Sequence, residues 1–142
     1  MELKSTNKKI IVFGVFDLLH DGHREFLHQA GEHGKIIAIV ARDEVVQLFK
    51  QKKPAQNENM RLANIAALPE ISHAELGDLE LGVYSAIKNH QPSAICLGYD
   101  QHALADDLAA RMQSGGLPQI PLIHLIAHEP ERLHSSLLTD AE

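Results

Sequence analysis

With 142 residues the chain has the length of one ordinary domain with a real core and no room for a second catalytic one, so a single domain over residues 1–142 is expected. A formal net charge of −6 argues against a nucleic-acid-binding surface and makes any cluster of basic residues conspicuous. One cysteine, Cys96, excludes an internal disulfide, no stretch approaches the roughly 20 apolar residues of a membrane span, and Met1 to Lys9 lacks a signal-peptide core, so a soluble, cytoplasmic protein without a membrane partner is expected.

In chain order, apolar β-branched runs alternate with helical patterns, the signature of βαβ units. Strands are expected at about Lys9 to Val15, Lys35 to Ala41, His73 to Leu76, Ala94 to Leu97 and Ile120 to Ile126. Helices are expected at about Gly22 to Glu32, Asp43 to Lys50, Glu58 to Leu68, Gly82 to His90 and Ala103 to Ser114, with Asp43 and Asn57 as N-caps. Lys50 to Asn57, which holds Pro54, and Gly115 to Pro118 read as loops. Right-handed crossovers turn this order into a Rossmann-like open parallel five-stranded sheet with helices on both faces, an α/β fold that binds ligands beyond the carboxyl ends of its strands. Gly14 to His23, Arg42-Asp43 and Gly98 to Gln101 all follow strand ends and should share that rim.

The most informative stretch is Gly14-Val15-Phe16-Asp17-Leu18-Leu19-His20-Asp21-Gly22-His23, where a buried strand turns into a helix. A helix N-terminus offers unpaired N–H groups and the positive end of the macrodipole, so it is a natural phosphate site. His20 and His23 add imidazole donors, while Gly14 and Gly22 allow close backbone approach. Zinc is the competing use of two histidines. It would want four ligands, and neither a cysteine pair nor a His-Glu-x-x-His helix is present nearby. Lys50, Lys52 and Lys53, followed by Arg61, form a basic cluster unusual in an acidic protein. Cys96, inside an apolar run, reads as a buried bystander.

These residues resemble the HxGH nucleotidyltransferases, and within them the small cytidylyltransferase-like proteins that include glycerol-3-phosphate cytidylyltransferase and archaeal-type FAD synthetase. The resemblance runs over nearly the whole chain: Gly14-x-Phe16-Asp17-x-x-His20-x-Gly22-His23, then Val40 to Glu44, Lys50 to Pro54, Arg61, Leu97 to Gln101 and Leu133 to Ser136. It implies transfer of a nucleotidyl group from ATP or CTP to a phosphorylated acceptor with release of pyrophosphate. Such a reaction needs positioning and charge stabilisation more than a covalent residue.

By the same resemblance His20 and His23 contact the triphosphate, Lys53 and one of Lys50 or Lys52 neutralise phosphate, and Arg61 clamps an anion. Gly14, Val15, Phe16, Asp17, Gly22, Arg42, Asp43, Gly98, Asp100, Ser135 and Ser136 line the nucleotide site. Asp17 orients its loop or holds Mg²⁺ that arrives with the nucleotide; no resident metal is expected. Members of the family are often homodimers. Adenylylation of FMN is the favoured reading, and cytidylyl transfer to glycerol 3-phosphate or a similar alcohol or sugar phosphate is the alternative. Where the family carries a basic residue and a longer helix after the serine block, this chain reads Leu137-Leu138-Thr139-Asp140-Ala141-Glu142, and this acidic ending motivates a third reading, a nucleotide-binding module with weakened turnover. A zinc hydrolase built on the histidines is the least favoured.

Overall fold

A computed structural model describes residues 8–126. Its centre is a parallel five-stranded sheet in the order β3-β2-β1-β4-β5, built from β1 (Lys9–Gly14), β2 (Lys35–Val40), β3 (Ile71–Leu76), β4 (Ala94–Leu97) and β5 (Leu122–His124). The helices are α1 (Asp21–Gly31), α2 (Asp43–Lys50), α3 (Glu58–Ala66), α4 (Ser85–His90) and α5 (His102–Ser114). The sheet is covered on both faces, which is why β1, β2 and β4 read as continuous apolar runs rather than as alternation. Ile10, Val12, Ile36 and Cys96 face a core closed by Leu27 and Ala30 of α1 and Ile65 of α3. Ile11, Ile37, Ile95 and Leu97 face the opposite layer, where Ala86 and Ile87 of α4 meet Ala105, Leu108 and Met112 of α5. Burial pushes the Cys96 thiol up to about 11, as befits a core residue rather than a nucleophile.

The expected elements are all present, with shifted ends. β5 is shorter than the apolar run from Ile120 to Ile126, since Ile120 packs into the α4–α5 layer before the strand begins. α4 starts at Ser85 rather than Gly82, because Gly82 (φ 83°) and Tyr84 (φ 51°) are left-handed and Asp78 supplies the cap, accepting from Ser85 N at 2.8 Å and Ser85 Oγ at 2.7 Å. Asn57 caps α3 as expected, accepting from Met60 N at 2.8 Å. Asp43 does not cap α2. That position falls to Arg42, and the Asp43 carboxylate turns to α3 instead.

The sheet order reverses between β1 and β4, which pair at Ile10–Ala94 and Ile11–Ile95. Further along, Gln101 reaches across, donating to Phe13 O at 2.9 Å and accepting from Gly98 N at 2.9 Å. One side-chain amide thus takes backbone groups from both strand ends, and the crevice expected at such a switch point opens there.

Candidate active site

The turn after β1 is held by its own histidines. His20 is the N-cap of α1, its Nδ1 accepting from Gly22 N at 3.0 Å; His23 in the first turn returns the bond, its Nδ1 accepting from His20 N at 3.1 Å. The two form a capping box in which imidazoles replace the usual hydroxyl and carboxylate. This fixes the chemistry of both rings, because a neutral imidazole that accepts at Nδ1 carries its proton at Nε2 and presents that N–H as a donor. The rings lie 4.0 Å apart, and His23 is buried against Phe16. The expectation that a phosphate would meet bare helix N–H groups is therefore modified. Gly22 N and His20 N are already bonded to imidazole nitrogens.

Gly14 serves a different partner from the one expected. A Cβ at this position would lie 2.7 Å from Phe16 Cζ, so its absence makes room for the Phe16 ring rather than for a ligand. Phe16 folds back over the strand end with φ 56° and is buried in the core; Leu18 two residues later has φ 52°. Two non-glycine residues in the left-handed region carry about 1–3 kcal/mol of strain each, held by the bonds around them.

Those bonds tie the turn to the basic loop. Both Asp17 oxygens accept backbone N–H groups, from Ala55 at 2.7 Å and Gln56 at 2.9 Å, and the Gln56 side chain accepts from Leu18 N at 3.1 Å. The Lys50–Asn57 segment, in which Lys50, Lys52 and Lys53 are exposed, is thereby buckled onto the histidine turn, although 30 residues separate His23 from Lys53 in sequence.

Arg61 makes the buckle permanent. Its guanidinium is fully buried and donates to Gln56 O (2.9 Å), Val15 O (2.8 Å), Ala41 O (2.8 Å) and Asp43 Oδ1 (2.6 Å). The structure corrects its expected role: the side chain anticipated as an anion clamp is committed to protein oxygens from the ends of β1 and β2 and from the loop before α3. Asp43 and Glu58 exchange bonds, Asp43 N donating to Glu58 Oε1 at 2.8 Å and Glu58 N to Asp43 Oδ2 at 3.2 Å. Arg42 donates to Gly77 O at 2.7 Å and lies 3.6 Å from Glu58. Arg42, Asp43 and Arg61 are the frame around the site.

Across the β1/β4 crevice stand Gly98 and Asp100. A Cβ on Gly98 would meet Asp100 Oδ1 at 3.2 Å, so glycine there allows the tight turn into α5. Beside it opens a feature that motif reading missed, a cavity of about 630 Å³ at the same carboxyl rim. Phe13, Ile39, Val45, Val46 and Leu104 give it apolar walls, and Gly14 and Val15 of the histidine turn form part of its edge. Tyr84, Asp107 and Arg111 supply a polar corner. The Tyr84 hydroxyl donates to Asp107 Oδ2 at 2.6 Å and Arg111 Nε to the same oxygen at 2.9 Å. Burial, then the bond to Asp107, raises the Tyr84 phenol far above its ordinary value, while the bonds from Arg111 and Tyr84 hold Asp107 below the usual carboxylate range. The sequence signal was available in the spacing Leu104, Asp107, Arg111, which places all three along one side of α5.

Among the residues anticipated for the site, the turn, the basic loop, Arg42-Asp43 and Gly98 to Asp100 share the rim; Ser135 and Ser136, with the nearby Arg132, lie outside the described residues. Among the described residues, no helix is long and apolar enough to cross a membrane.

Comparison with known proteins matches this arrangement to a family. The cytidylyltransferase-like family model covers residues 11–136, and the chain belongs to that family. It is accordingly an enzyme of the nucleotidyltransferase superfamily, with activity resembling that of archaeal FAD synthetase. An FAD synthase from Methanosarcina barkeri is 40% identical over 119 residues, spanning 80% of this chain and 84% of its own. Another from Ferroglobus placidus is 34% identical over 130 residues, 91% of this chain and 83% of its own. Among solved structures, a lipopolysaccharide core biosynthesis protein from Thermoplasma volcanium superposes with a TM-score of 0.76 at 28% identity, covering 86% of this chain and 98% of that one.

Proposed function

We propose that the protein is an FMN adenylyltransferase: a phosphate oxygen of FMN attacks the α-phosphorus of ATP, the bond to the β-phosphate bridging oxygen breaks, and FAD and pyrophosphate are released. The observation that carries this reading is the junction at Gly14 and Val15, where the histidine-capped helix terminus meets a cavity with apolar walls. A flat apolar ring system with a phosphate tail fits that junction, and a cavity of about 630 Å³ suits a ligand of that size. Glycerol 3-phosphate has no apolar surface to bury there, which weighs against the cytidylyl alternative. The similarity to FAD synthases points the same way.

In this mechanism the Nε2–H groups of His20 and His23 donate to phosphate oxygens and stabilise the charge that builds up in the transition state. Lys53, with Lys50 or Lys52, neutralises the triphosphate, and Gly98 and Asp100 border the base and ribose. Mg²⁺ enters as part of the nucleotide substrate, spreading the charge of the phosphates. Asp17, already accepting two backbone N–H groups, holds the loop. By the family resemblance Ser135 and Ser136 contribute hydrogen bonds to the phosphates, and the setting is a reducing cytosol.

Pyrophosphate release with Mg²⁺, ATP or CTP, and FMN, glycerol 3-phosphate, phosphocholine or sugar phosphates tests this directly. ATP with FMN is the expected productive pair, and His23→Ala should lower its turnover by more than about a hundredfold. Productive turnover with CTP and glycerol 3-phosphate alone would overturn the flavin assignment. Nucleotide-dependent thermal stabilisation with no turnover on any pair would favour a binding module.

A further inference from the structure

Away from the histidine turn, three side chains converge that this reaction does not use. His73 and Glu75 stand two residues apart on β3 and so project from the same face of that strand, while His90 closes α4 from the other side. Glu75 Oε1 lies 2.8 Å from His73 Nε2 and 3.0 Å from His90 Nε2, and the ligand atoms of all three fall within 4.8 Å of one another. The side chains are 51%, 32% and 22% exposed for His73, Glu75 and His90 respectively, half sheltered yet open to an entering ion.

We propose that His73, Glu75 and His90 form a binding site for a divalent transition metal ion of the zinc, cobalt or nickel class. Two imidazoles and one carboxylate are a donor set these ions favour over magnesium or calcium, which want oxygen. With bonds of roughly 2.0–2.2 Å, tetrahedral ligand atoms sit about 3.4 Å apart, so Glu75 Oε1, at 2.8 and 3.0 Å from the two nitrogens, withdraws by about half an ångström when an ion seats among the three atoms. Both histidines already point Nε2 at the common centre, so neither ring must turn over.

The position gives the ion a consequence. Among the described residues β3 is an edge strand hydrogen-bonded to β2 alone, and residues 77–84 connect it to α4. That connection supplies Gly77, Asp78, Glu80, Leu81, Gly82 and Tyr84 to the cavity wall, as does Glu75 itself. An ion bound to Glu75 and His90 closes the loop between them and restricts the cavity wall, acting as a staple beside the cap that Asp78 places on Ser85.

Cobalt(II) titration of the tag-free, chelator-treated full chain tests the site. One ion per chain should bind, with a visible ligand-field band of a low-coordinate N/O site and a melting temperature raised by about 5–10 °C at a hundredfold excess over Kd. His73→Gln together with His90→Gln should weaken binding by at least about a hundredfold, since loss of even second-layer partners costs tenfold to a hundredfold. The double variant's circular dichroism and metal-free melting establish that it folds. His23→Ala should bind cobalt as the parent does. No saturable binding at micromolar cobalt, unimpaired binding by the double variant, or loss of binding in His23→Ala would each overturn the proposal. The readout is independent of adenylyl transfer, so it stands or falls apart from the flavin assignment.

Discussion

Replacing Arg61 separates a structural arginine from a substrate-binding one. Its guanidinium makes four hydrogen bonds from a fully buried position, three to the carbonyls of Val15, Ala41 and Gln56 and one to the Asp43 carboxylate. Arg61→Met leaves those carbonyls and one carboxylate without their donor. Breaking a buried ion pair by removing one partner costs about 3–5 kcal/mol. Asp43 is 33% exposed and water can reach it, so the low end, about 3 kcal/mol, applies. Against a total of about 5–15 kcal/mol this is a large fraction, and it corresponds to a fall of roughly 10 °C in melting temperature. Arg61→Lys should recover little, because an ammonium has three donors and none of the planar reach that spans four acceptors. Adding Asp43→Asn to Arg61→Met should cost less than the sum of the single changes, since the stranded charge is then gone. Thermal denaturation followed by circular dichroism compares the parent, the three single variants Arg61→Met, Arg61→Lys and Asp43→Asn, and the double variant, with initial rates taken well below each transition. An Arg61→Lys protein that melts within about 1 °C of the parent yet shows a raised KM for the nucleotide would refute this reasoning and return Arg61 to the substrate.

Gly14→Ala should destabilise by about 1–3 kcal/mol, because the added methyl lies 2.7 Å from Phe16 Cζ in a packed turn; denaturant melts of the two proteins compare them. Asp17→Asn puts an amide N–H₂ opposite a backbone N–H and should loosen the basic loop, so tryptic cleavage after Lys50 or Lys52 accelerates and kcat/KM falls while the sheet melts nearly as before. Asp107 is held below its ordinary value in the folded state, so its contribution is present above the unfolded carboxylate pKa of about 3.9 and disappears as pH falls through the lower folded value. Asp107→Asn should therefore lower the melting temperature at neutral pH, with the gap from the parent closing toward about pH 3. A gap that stays constant with pH would show that the Tyr84–Asp107–Arg111 corner carries no such linkage.

The parallel sheet was legible in the chain because strands buried on both faces must be apolar throughout, and Ile10 to Phe13, Ile36 to Val40 and Ala94 to Leu97 are. The histidine turn was legible as well, since Gly14, Phe16, Asp17, His20 and His23 are local in sequence and their spacing survives folding. The helix α5 was placed to within one residue by its periodicity.

What the linear order could not reveal is which partner each polar group takes. A buried arginine and a phosphate-binding arginine are the same letter, and only the folded chain shows the Arg61 guanidinium meeting carbonyls from the ends of β1 and β2. Asp43 was a cap by local rule, yet the nearness of α3 redirected its carboxylate. The cavity is assembled from segments far apart in sequence, from Phe13 to Arg111, and the meeting of His73 and Glu75 with His90 depends on α4 packing beside an edge strand. Local chemistry set the elements and the motif; the long-range packing decided the donors and acceptors, because a polar side chain in a dense interior bonds to whatever the fold brings within reach.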